Sequence, residues 1–170
     1  MFSSYKEQIN KIIDQLPEDK VLDVLIAAEF AKERTDFVQY LTKKGVIVTE
    51  LIGERQDFKE KWESEFTKTI PKEMKKEISF ESFLWHVFSY EVLDCIEKED
   101  SIVAFNNMKK ENCFAFYQHL DLVYKLENAS SITAADFEKE QDIFVADEDY
   151  SWTYIHTHET ECGPYFYKKS

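Results

Sequence analysis

Glycine and proline are scarce, three of each in 170 residues. Their scarcity excludes long flexible linkers, and the chain has no glycine-rich loop of the kind that cradles a phosphate. Three cysteines, Cys95, Cys113 and Cys162, make an odd number with no CxxC spacing. That fits a reducing compartment better than a disulfide framework, and Cys95 and Cys113, set among apolar residues, read as core thiols. No HExxH pair appears, and the acidic run Asp147, Glu148, Asp149 lacks the glycine and the distal glutamate of an EF-hand loop. No apolar stretch approaches the roughly 20 residues that span a bilayer. The N-terminus shows no basic region leading into an apolar segment and a cleavage site. The expectation is a soluble, cytoplasmic protein without a membrane contact. Internal repeats and low-complexity segments are absent too.

What is abundant is aromatic and acidic. An apolar fraction of 44%, with fourteen Phe, nine Tyr and three Trp, suits one domain whose core side chains each bury roughly 150 to 250 Å². The net charge of −13 is uneven: residues 91–161 hold 17 acidic and 5 basic residues, whereas the other 99 hold 17 and 16. Such a field repels phosphate backbones, which argues against nucleic acid as a partner, and it speeds encounter with cationic proteins. The plainer reading of the same charge is solubility.

Along the chain, Ile9, Ile12, Ile13 and Leu16 recur at helical spacing until Pro17 ends the pattern. A second helix starts near Glu18 and stops at Gly45. Residues 1–44 therefore read as an N-terminal helical hairpin packed on the rest, with a homodimer through it as one use. Its phrase IIDQLPEDKVLDVLIAAEFAKE resembles a short helical segment of small bacterial proteins, antitoxin-like ones among them.

The β-branched run Val46, Ile47, Val48 opens a strand over 46–51, and Phe58, Trp62 and Phe66 mark a helix after Gly53. Residues 79–97, SFESFLWHVFSYEVLDCIE, are expected to form a central apolar helix. Asp100 is set to cap a short helix that ends near Lys109 and Lys110, where the helix dipole favours cations. Strands follow at NCFAFYQHL, at 142–146 and at 151–158, and Thr133 with Asp136 signals a short helix start. The fold class expected for 45–170 is α+β, a mostly antiparallel sheet of about four to five strands with helices on one face.

On a strand over 151–158, a period of two puts Trp152, Tyr154, His156 and His158 on one face. Two imidazoles at i and i+2 can converge on one ion, Cys162 can add a thiolate, and His86, His119 or Glu159 can complete a tetrahedral zinc-like set. With an open coordination position and Glu159 as general base, that set would serve a metal-dependent hydrolase. The competing reading is non-enzymatic and needs no cofactor. In it Trp85, His86, Tyr90, Trp152 and Tyr154 form an aromatic surface ringed by carboxylates that docks a basic protein partner, as an inhibitor or immunity protein does. A core role for the same aromatics is the third possibility.

At LWHVFSYE (84–91), DYSWTYIHTHE (149–159) and CGPYFYKK (162–169) the chain resembles a family of small bacterial proteins classed as a domain of unknown function, over about residues 45–167. The resemblance implies a compact cytosolic α+β protein and brings no activity, ligand or catalytic residue with it.

Overall fold

The computed structural model describes residues 3–169. The chain divides into two compact units, residues 1–40 and 41–170. The first holds α1 (Tyr5–Ile13) and most of α2 (Glu18–Lys43). Ser4 and Glu7 start α1 with a capping box: the Glu7 N–H donates to Ser4 Oγ at 3.2 Å, and the Ser4 N–H donates to the Glu7 carboxylate at 2.9 Å. The expected N-terminal helices are therefore present. Among the described residues up to 40 none is buried, so these helices are specified by caps and periodicity rather than by a core of their own.

The second unit begins at Leu41, still in α2, which is fully buried. The helix stops at Gly45, whose φ of +87° is a conformation that costs glycine little, and the Val46 N–H closes back on the Leu41 carbonyl at 3.2 Å. The strands are β1 (Ile47–Ile52), β2 (Ile96–Glu97), β3 (Asn112–Tyr117), β4 (Leu122–Glu127), β5 (Ile143–Asp147), β6 (Trp152–His156) and β7 (Tyr165–Lys168). They form one antiparallel sheet in the order β1-β4-β3-β5-β6-β7-β2. The sheet thus has seven strands rather than four to five. The additional ones include β4, which opens on three consecutive buried apolar residues, and β2, whose two residues are too few to show any period.

Helices cover both faces of this sheet, not one. On the first face lie α3 (Arg55–Phe66), α4 (Lys72–Glu77) and α5 (His86–Ser89) with the turns around them. Trp62 meets the edge of Phe144 at 5.2 Å, and its indole N–H donates to Thr153 Oγ at 3.0 Å. Phe116 stacks on Phe144 at 5.0 Å, and Phe88 on Tyr165 at 5.5 Å. The opposite face takes α6 (Lys98–Asn107), where Phe105 stacks on Tyr154 at 4.4 Å and meets Trp152 at 5.7 Å. Strand alternation explains the division, since Trp152 and Tyr154 point one way and Thr153 and Ile155 the other. Lys110 closes α6 as its charge suggests, donating to the carbonyls of Phe105 (2.7 Å) and Met108 (2.9 Å).

Residues 79–97 are not a long helix. Only the four residues of α5 are helical, and Ser79 and Glu91 on either side have φ values of 51° and 55°. The segment is rich in Phe, Trp, Val, Ser, His and Tyr, which favour a helix less than Ala or Leu do. Burial of Phe80, Leu84, Trp85, Val87 and Phe88 from several directions decides the backbone instead.

Candidate functional site

His156 and His158 do not converge. Strand β6 ends at His156, and the Thr157 hydroxyl then turns to the carbonyls of Glu159 and Cys162, so the two-residue period stops before His158. His156 places Nδ1 2.7 Å from the Glu140 carbonyl. His158 turns to Asp142 instead, with Nδ1 at 2.9 and 2.8 Å from the two carboxylate oxygens and its backbone N–H at 3.2 Å from Oδ1. Burial, and then the hydrogen bond to Glu159, push the Cys162 thiol up, which opposes thiolate formation. Glu159 is exposed, with Oε1 3.7 Å from His158 Nε2. Among the described residues no three His, Cys, Asp or Glu side chains are grouped so as to hold a metal ion.

The aromatic docking surface is also rearranged. Trp85, Trp152 and Tyr154 are each about 1% exposed, so they are core and present no face to a partner. Elements pack on both faces of the sheet, so Trp152 and Tyr154 are as buried as Thr153 and Ile155 on the other side of β6, and Trp85 is packed in the turn just before α5. His86 is half-buried with Nδ1 2.6 Å from the Ile78 carbonyl. Tyr90 remains at the surface, 57% exposed, its ring 5.2 Å from His86.

What the fold does assemble is a cluster around Phe83. The rings of His86, His119 and His158 lie 5.3, 5.3 and 5.1 Å from it. Beneath them Asp142 is buried, 5% exposed, and accepts the Trp85 indole N–H at 3.0 Å as well as the His158 contacts. Its φ of +50° is one that Asp and Asn tolerate better than most residues. Three of the four histidines of the chain therefore meet although they are 33 and 39 positions apart in sequence. Asp142 carries no periodic signal, and sequence reasoning passed over it.

A second feature lies at the end of the sheet. β2 is the edge strand, and it pairs only with Phe166 and Tyr165, so Tyr167 and Lys168 of β7 run on past it with no strand on that side. Glu91 to Ile96 face this stretch across a groove of about 800 Å³. Carboxylates of Glu91 and Asp94 lie in its lining with Val92, Leu93, Tyr167 and the Cys95 thiol. Burial, and then the charge of Glu97, push that thiol up to about 12, so it is a neutral, apolar part of the wall. Ile96, also lining, is 43% exposed. None of the described helices is long and apolar enough to cross a membrane.

No curated protein and no solved structure matches the chain. Residues 35–166, however, match the family model described as Domain of unknown function (DUF4275), starting ten residues before Gly45, and the chain belongs to that family.

Proposed function

We propose that this protein is a non-enzymatic binding module whose acidic C-terminal half docks a basic protein partner, in the manner of an inhibitor or immunity protein. The observation that supports it is the groove at the sheet edge. Apolar side chains in a concave lining supply contact area, and exposed Glu91 and Asp94 supply charge at its border. Glu97, Glu99 and Asp100, all exposed, follow in the chain. A field of that sign raises the rate of encounter with a cationic surface and falls away with salt. A reducing, cytoplasmic setting goes with this reading, and three cysteines that are all free thiols suit it. The alternative, a metal-dependent hydrolase on His156, His158 and Cys162, has no geometric observation in its favour.

The test is affinity capture at low and high salt with the native protein and with a Glu91→Lys, Asp94→Lys double variant, followed by identification of what is retained. A strongly basic protein held at low salt by the native chain and lost by the folded variant is the expected result. Identical capture by both would sink the reading.

A further inference from the structure

We propose that the groove takes its partner as an added β-strand: an extended segment, basic and apolar in alternation, pairs with the free edge of β7 beyond β2. The inference rests on the binding reading above and gives it a geometry.

Three observations carry it. The first is the mismatch of strand lengths, since β7 has four residues and β2 matches only Phe166 and Tyr165. Backbone groups alternate sides along a strand. The Lys98 N–H donates to the Pro164 carbonyl at 2.8 Å, and the Lys169 N–H donates across to Ser151 at 2.9 Å. Positions 164, 166 and 168 therefore turn their polar backbone towards the β2 side. At 168 no strand among the described residues meets it, which leaves a donor and an acceptor for an incoming chain.

The second observation is the wall opposite. Residues 91–95 are not a strand, and they stand off from β7 far enough to leave about 800 Å³, within the usual range of ligand clefts. The third is the chemistry of that wall. An added strand points alternate side chains to opposite sides, so one set meets Val92, Leu93 and Ile96 while the other reaches Glu91 and Asp94. Lys168 is the one cation among the lining residues. It fixes polarity, because a lysine or arginine of the segment belongs beside the two carboxylates and not beside Lys168. The other edge strand of the sheet, β1, carries a single carboxylate, Glu50, in six residues, whereas the stretch beside β7 places two, Glu91 and Asp94, in one groove.

The test uses the full-length protein and a free octapeptide of alternating lysine and valine, titrated by fluorescence anisotropy beside the same peptide N-methylated at its four central amides. The plain peptide is expected to bind, with N-methylation and a Lys168→Pro substitution each weakening it by roughly tenfold or more, as loss of one or two backbone hydrogen bonds implies. The methylated peptide keeps the argument independent of how well the proline variant folds. Equal binding of both peptides, lost in the Glu91→Lys, Asp94→Lys variant, would overturn strand addition and leave acidic docking standing. No binding of either peptide would overturn strand addition while the captured folded partner still decides the broader reading. Weakening by Thr49→Pro in β1, with Lys168→Pro silent, would place the strand on the wrong edge and overturn the proposal as well.

Discussion

Residues 1–40 and 41–170 use their apolar side chains in opposite ways. In the first unit Ile9, Ile12, Leu22, Leu25 and Ile26 are each at least half exposed, and no described residue is buried. In the second, Trp62, Phe80, Phe88, Phe105, Phe116, Phe137 and Phe144 are all fully or almost fully buried. Contacts within the first unit include local ones, a capping box at Ser4 and an i,i+4 ion pair between Lys32 and Asp36 at 2.6 Å. The second is held by contacts between residues far apart in sequence, such as Trp62 with Thr153. Helical periodicity locates α1 and α2 in the first unit and α3 in the second but fails over 79–97, and only the second unit converts its apolar positions into a core.

The largest effect should come from the sheet centre. Phe144→Ala removes a fully buried ring that stacks on Phe116 and meets Trp62 edge-on, and is expected to cost about 3–5 kcal/mol. Leu25→Ala in α2, where the side chain is 51% exposed, should stay within about 0.5 kcal/mol. Urea unfolding followed by both fluorescence and circular dichroism separates the two units if they melt apart. Comparable losses for the two variants would break the comparison and would mean that the N-terminal apolar face has a partner.

Next is the buried acid. Asp142→Ala leaves the Trp85 indole N–H without its acceptor and frees His158, for a loss of about 1–3 kcal/mol. Asp142→Asn keeps an acceptor for Trp85 and tolerates the positive φ, so it should cost clearly less. The same unfolding assay ranks them, and an Asn variant as unstable as the Ala variant would argue that the negative charge itself holds the cluster.

Those two positions also show how far the sequence could be read. The N-terminal helices, β1, α3, β5, β6 and the Thr133 capping box were all visible, because each is announced by a period, a β-branched run or a cap within a few residues. The segment 79–97 misleads because a broad apolar face looks the same whether a helix or a series of buried turns presents it. β4 opens on three consecutive buried apolar residues, Leu122, Val123 and Tyr124, so it offers no clean two-residue period. The site was less legible than the fold. HxH spacing assumed a strand that continues to His158, but the chain turns at Thr157, and the meeting of Phe83, Asp142 and His158 depends on contacts that no local pattern encodes. Exposure was the other hidden quantity, and it moved Trp85, Trp152 and Tyr154 from a proposed surface to the core.

The smallest effect sharpens the comparison through ion pairs. Glu65 in α3 accepts Lys169 at 2.6 Å and Lys61 at 3.0 Å, joining the helix to the chain after β7, 104 residues away. The hydrogen bond from Lys169, and then that from Lys61, lower its carboxyl to about 2 from an ordinary value near 4.5. A carboxyl held lower in the folded than in the unfolded chain stabilises the fold above the unfolded value, and that contribution fades as pH falls from about 4.5 to about 2. Its side chain is 29% exposed, so solvent screens much of the gain. Glu65→Gln should therefore lower the urea midpoint modestly at pH 7 and converge on the native protein near pH 2. Asp36→Asn, which removes the local pair with Lys32 in the first unit, should change the urea midpoint at pH 7 less than Glu65→Gln does, because both partners there are largely solvated. A difference between Glu65→Gln and the native chain that persists at pH 2 would show that the side chain contributes by packing along α3 rather than by charge.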